Sequence, residues 1–208
     1  YFFSMTAFQA LETRSDWKCD KCSEVVPSAP ILTLIKSLQE EAENFQATDI
    51  TKVQTQINNL EKILHPNHFL LMSYKKRLLD ILKLRPDKPE EGSDEFRPFV
   101  EKQVDLGNEL LAVTNVLEPG FSFKRGRILR HLHLPTLQLA KMDLKAKRIS
   151  TPQFVSITKK AIQNMKEAVR CMEDFDLASD TSTIIRNVAL AALENSNSSV
   201  NNAQENGD

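Results

Sequence analysis

Cys19 and Cys22, in the stretch SDWKCDKC, stand two residues apart and are two of the three cysteines in the chain. A Cys-x-x-Cys knuckle directs two thiolates at a single tetrahedral ion, which is half of a four-cysteine zinc site. Inert thiols and a redox dithiol are the alternatives, although the redox motif sits between a strand and a helix and no such strand is legible here. His65 and His68, in HPNH, also have ligand-like spacing and would complete a tetrahedral set in number. Two whole helices lie between them and the cysteines, so turn and capping roles come first. Cys171 falls on the apolar face of a helix and reads as a small buried hydrophobe.

The basic residues gather in three runs: Lys75, Lys76 and Arg77; Lys124, Arg125, Arg127 and Arg130; and Lys141, Lys145, Lys147 and Arg148. Such runs are first of all solvated helix faces. The functional alternative is a shared groove, because tetratricopeptide-type grooves hold acidic C-terminal peptides by setting Lys, Arg and Asn around a carboxylate. Lys75, Lys76, Lys124, Arg125 and Arg127 are the candidates for such a site, if their helices line one surface.

Helices must position all of these residues. Pro30 stands before Ile31, Leu34, Ile35, Leu38, Ala42 and Phe45, a spacing that puts the six apolar residues on one face. Ile50, Val53, Ile57, Leu60 and Leu64 define a second helix, which Pro66 stops by removing a donor and pushing His65 out of helical geometry. Asn67 is then placed to cap a third helix that carries Phe69, Met72, Leu78, Leu79 and Leu82 toward a core. The loop RPDKPEEGSDE separates it from a fourth helix, predicted over 96–117 on Phe99, Leu106, Leu110, Val113 and Leu117. EPG turns into a fifth helix reaching about Arg148, which Pro135 should kink or split by clashing with the His131 carbonyl. Thr151 is read as the cap of a sixth, with Pro152 in its first turn and Phe154, Ala161, Ile162, Met165, Val169 and Met172 on its buried face. Ile184, Ile185, Val188, Ala192 and Leu193 define a seventh, and the polar residues from Glu194 onward are expected to be disordered.

No convincing alternating strand interrupts these helices. The pattern predicts an all-α fold of antiparallel helix pairs in a tetratricopeptide-like array, preceded by a short cysteine segment. The 27 basic and 28 acidic residues among 208 nearly cancel, so nothing in the whole-chain charge calls for nucleic acid or a membrane surface. No apolar run reaches the roughly 20 residues that span a bilayer, and the opening lacks the features of a signal peptide. So few cysteines point to a reducing compartment. The first residue is Tyr1 and not methionine, and the chain is expected to continue upstream.

Several stretches together carry a family likeness. SDWKCDKC followed by a helix, then ILHPNHFLLMSYKKRLL, then LGNELLAVTNVLEPGFSFKRGRILRHLHLPTLQLAKMDL, and ITKKAIQNMKEAVRCME, resemble the end of a SET and MYND domain (SMYD) protein lysine methyltransferase of the arthropod branch. The likeness runs over roughly residues 15–193 and is most specific at the LHPNH turn and the LEPG turn. It implies an incomplete post-SET zinc segment over 1–29, a tetratricopeptide-like domain over 30–193 and a tail over 194–208. In that family the post-SET cysteines bind a structural zinc, and arthropod members carry a further Cys-x-x-Cys upstream of the matching knuckle. No cysteine precedes Cys19 here, so Cys19 and Cys22 would be a half-site.

The MYND finger, the SET motifs that bind S-adenosylmethionine and the tyrosine of the methyl-transfer channel match nothing in these residues. The implied role is therefore a non-catalytic C-terminal lobe that shapes substrate access in a protein-lysine methyltransferase. Its implied partners are the SET domain of the same parent, histone or non-histone substrates, and the acidic C-terminal peptide of the chaperone Hsp90, in cytoplasm and nucleus. The alternative is a free-standing helical peptide-binding adaptor.

Overall fold

The computed structural model describes residues 3–4, 16–19, 22–45 and 49–173. The chain divides into two compact units, Tyr1–Ala47 and Thr48–Asp208. In the first, β1 (Phe3–Ser4), β2 (Trp17–Cys19) and β3 (Val25–Val26) form a small antiparallel sheet in the order β1-β2-β3. Phe3 pairs with Cys19, and Trp17 with Val26. These strands are two or three residues long, too short to show a period of two, which is why the sequence reads as strandless. Helix α1 (Ser28–Asn44) follows, and Ser28 is its buried residue.

The second unit is built from α2 (Ile50–Leu60), α3 (Phe69–Leu84), α4 (Phe96–Leu117), α5 (Phe123–Lys145) and α6 (Thr151–Glu173). Each helix packs on the next in sequence, the nearest-neighbour arrangement of an antiparallel helical array with short connections. The fold is all-α apart from the short sheet. Among the described residues no helix is long and apolar enough to cross a membrane. The expected seventh helix and the tail lie outside the described residues.

The helix starts are set by side chains that accept orphan amides. Asp49 caps α2 by accepting from the amides of Thr51 and Lys52, which holds its carboxyl below the usual range. The cap of α3 is His68 and not Asn67: His68 Nδ1 accepts from the Leu70 amide at 3.3 Å. Pro66 favours an extended preceding residue and starts a turn that carries Asn67 one position too early for the cap. Ser150, not Thr151, caps α6, and Gln153 reaches back to the Ser150 amide at 2.8 Å, a reciprocal capping box. Between α4 and α5, Gly120 sits at φ +98°, a left-handed turn conformation that a side chain would strain.

Pro135 does not split α5, which runs as one helix of 23 residues with the ring buried. A proline costs a helix interior about 3 kcal/mol, but α5 packs against both α4 and α6, and that burial outweighs the lost bond. Leu129 of α5 packs with Ile162, Met165, Ala168 and Val169 of α6, and Leu132 and Ile128 pack with Leu79 of α3 and Leu110 of α4. Cys171 is fully buried on α6, as a small hydrophobe is expected to be.

The buried stripe of α4 differs from the expected one. Phe96, Val100, Gln103, Gly107 and Leu110 face inward, while Val113 is half-buried and Leu117 is 71 % exposed. Phe69, expected in the core, is 55 % exposed. Both departures have one cause: the C-terminal part of α4 and the start of α3 border a groove instead of a closed core.

Candidate functional site

The groove lies between α3, α4 and α5 and has a volume of about 360 Å³. Its walls are apolar: Phe69 and Met72 on α3, Leu110, Val113 and Leu117 on α4, and Phe123 and Ile128 on α5. Its polar edge carries Lys76, Lys124 and Arg127 with Asp80, Glu118 and His131. A larger hollow of about 740 Å³ lies beside the N-terminus of α2 and the C-terminus of α3, but charges already engaged with one another line it, including Arg85 bonded to Asp87 at 2.5 Å.

Of the five cations singled out for an acidic peptide, the structure brings three to this groove. Lys76 holds Asp80 at 2.9 Å, Lys124 holds Glu118 at 2.5 Å, and Arg127 lies 3.6 Å from Asp80. Lys75 does not join them. Successive helical residues are about 100° apart around the axis, so Lys75 turns into the α2–α4 side, where it is only 4 % exposed and pairs with Glu61 at 3.1 Å and with Glu109. Arg125 is also elsewhere, bonded to Asn115 at 2.7 Å and to Glu167 of α6 at 2.5 Å. Both are ties between helices and not free surface charges.

The groove is thus less cationic than the sequence runs imply. Two of its three cations already hold a carboxylate, and the third stands near one. A bound acidic group would have to share those cations, so the apolar walls must carry most of any affinity. Asp80 and His131 carry no motif and were not visible from spacing, except that Lys76 and Asp80 are four residues apart on one helix. His131 Nε2 lies 3.4 Å from Asp80. Burial, together with Lys83 nearby, pushes His131 down to about 3, so its imidazole is neutral near pH 7.

Cys22 is exposed, with its Sγ 3.9 Å from Glu24, and the side chain of Cys19 lies outside the described residues. His65 Nδ1 accepts from the Asn67 amide at 3.1 Å while His68 caps α3, so both histidines of HPNH serve the turn. Among the described residues no group of three or more His, Cys, Asp or Glu side chains is arranged to hold a metal ion.

The chain matches no family model, and no curated protein matches it.

Proposed function

We propose that this chain is the C-terminal helical lobe of a SET and MYND-type protein-lysine methyltransferase, and that its own part is to hold a protein segment in the α3–α4–α5 groove. The observation that carries the binding role is the groove itself: an open apolar cleft whose polar edge bears Lys76, Lys124 and Arg127. The enzyme context rests on the sequence resemblance. Methyl transfer needs a pocket for S-adenosylmethionine and a channel that aligns the lysine amine with the methyl group. In this reading both belong to the SET part of the parent. The favoured occupant is an acidic segment with one or two apolar anchors, because apolar side chains fit the walls and carboxylates complement the cations at the edge.

Leu117 is 71 % exposed and Lys124 lies at the rim, so changing either leaves the core intact. Leu117→Asp should weaken binding of such a peptide by about tenfold or more, since it replaces an apolar wall with a like charge. Lys124→Glu should weaken it a few-fold, and that smaller effect should fade with added salt. Calorimetry with a synthetic acidic C-terminal peptide of the chaperone Hsp90 type, free and amidated, measures both. An affinity indifferent to Leu117→Asp would remove the groove from the account.

The free-standing adaptor is the second reading, and the separate compactness of Thr48–Asp208 favours it. The coding sequence upstream of Tyr1 discriminates: a Cys-x-x-Cys with SET motifs supports the methyltransferase lobe, and an initiator methionine close by supports the adaptor.

Zinc enters this proposal as a shared site, with Cys19 and Cys22 giving two thiolates and the remaining ligands coming from the parent. The chain alone should then hold zinc weakly, and an upstream-extended chain should hold one ion tightly. Metal analysis giving one tight ion per chain, lost on His68→Ala, would place the ligands inside these residues instead.

A further inference from the structure

The end of α4, the start of α5 and the last part of α6 meet at one corner. Arg125, in the first turn of α5, donates to Asn115 near the end of α4 at 2.7 Å and to Glu167 of α6 at 2.5 Å. The same corner belongs to the groove, whose lining there includes Val113, Leu117, Glu118, Phe123 and Lys124. Helix α6 ends at Glu173, about 9 Å of helix beyond Glu167. In an antiparallel array that last stretch of α6 runs the same way as the end of α4, so the chain leaves α6 beside the groove.

Residues 174–180, which lie outside the described residues, read DFDLASD. Two apolar side chains, Phe175 and Leu177, alternate with the carboxylates of Asp174 and Asp176, and Asp180 follows. This is the chemistry that the groove selects, an acidic segment with one or two apolar anchors. In an extended chain the period of two puts Phe175 and Leu177 on one side and Asp174 and Asp176 on the other. The first pair suits the apolar walls and the second suits the edge that bears Lys76, Lys124 and Arg127. The reach is ample: residues 174–180 span up to about 23 Å when extended, and one helix is only about 10 Å across. The wall also has apolar surface left to cover, since Leu117 is 71 % and Phe69 is 55 % exposed.

We infer that residues 174–180 of the same chain occupy the α3–α4–α5 groove, so that an outside peptide binds only by displacing them. The inference rests on the reading of this groove as a peptide site. Phe175 and Leu177 lie against the apolar walls, and Asp174 and Asp176 share the rim cations with Asp80 and Glu118. Tethering decides the competition. A segment held by a short linker acts at an effective concentration on the order of 1 mM. A contact whose free affinity is only about 0.1 mM would then fill the groove roughly nine times in ten, and would weaken an outside peptide about tenfold.

Two measurements on the full chain test it. In the wild type, NMR should show cross-peaks between the Phe175 ring and the methyl groups of Val113 and Leu117, with no outside peptide present. Their absence overturns the inference. Cross-peaks found only between differently labelled copies would mean that a second copy supplies the segment, which overturns it as well. The second measurement is calorimetry with the acidic C-terminal peptide used above, comparing the wild type with Phe175→Ser, Leu177→Ser in one chain. Both positions lie beyond the end of α6 and outside the groove lining. The double variant should bind the peptide about tenfold tighter. Equal affinity for both proteins overturns self-occupation and leaves the groove standing as a peptide site. Cross-peaks without binding of the outside peptide to either protein would support the inference and remove that peptide from the reading above.

Discussion

Replacing Lys75 with alanine is expected to destabilise the protein by about 3 kcal/mol, the low end of the range for breaking a buried ion pair. Lys75 is 4 % exposed and bridges Glu61, beyond the end of α2, and Glu109 on α4 from its place on α3. Removing it leaves two carboxylates facing each other over a hole once filled by the aliphatic stem. The loss stays at the low end because the Glu61 and Glu109 side chains are 45 % and 40 % exposed and can turn toward water. Lys75→Met breaks the same pair but keeps the stem, so it should lose about 1–2 kcal/mol less than Lys75→Ala, that difference being the part due to the hole. Denaturant unfolding of both variants measures the difference.

The pH dependence follows from the same contacts. Burial acts to lower the Lys75 ammonium, but the hydrogen bonds and charges of Glu109 and Glu61 outweigh it and hold it above 10.5. A group raised in the folded state contributes fully below its unfolded pKa and loses that contribution as pH climbs through the folded one. The gap between wild type and Lys75→Met should therefore be flat near neutrality and narrow only above about pH 10.5. A gap that already closes between pH 7 and 9 would contradict the bridge.

Gly107 provides the second large effect. A Cβ built on this buried glycine of α4 would stand 2.7 Å from Leu132 Cγ of α5 and closer still to its Cδ2. Leu132 is 5 % exposed and packed among Leu79, Leu110 and Ile128, so it has nowhere to swing. Overpacking of this kind costs about 1–3 kcal/mol. Gly107→Val should reach about 3 kcal/mol, because it adds a branched side chain. Gly107→Ala should lose less, since alanine regains about 1 kcal/mol of helix propensity. Leu132→Ala opens space at the same point. The double variant Gly107→Ala with Leu132→Ala should be clearly more stable than the sum of the single losses predicts, a coupling that a mutant cycle reads directly. Simple additivity would mean that the two helices do not meet at this glycine.

The close α4–α5 crossing matters for the groove as well as for stability. It fixes how far Val113 and Leu117 stand from Phe123 and Ile128, and so the width of the cleft. A Gly107 variant that folds should show altered peptide affinity without any change in the groove residues themselves.

What the amino-acid sequence determined by itself is mostly local. The bounds of α4 could be read as 96–117 because the charged loop before it and EPG after it interrupt the helical period, and Gly120 supplies the left-handed turn. The buried face of α6 could be read as far as Val169, since its apolar residues repeat every three or four positions and nothing competes for them. The HPNH turn was visible through Pro66, though which residue caps α3 was not, because Asn67 and His68 both have an acceptor and only the chain's path past the proline selects His68. Tertiary structure alone decided the rest. Periodicity says that α4 has an apolar side but not how that side is rotated against its neighbours, so Leu117 read as core and borders a groove, while Gln103 and Gly107 are inside. Adjacent cations separate for the same reason: about 100° of helical turn sends Lys75 into a bridge with Glu61 and Glu109 and leaves Lys76 at the groove.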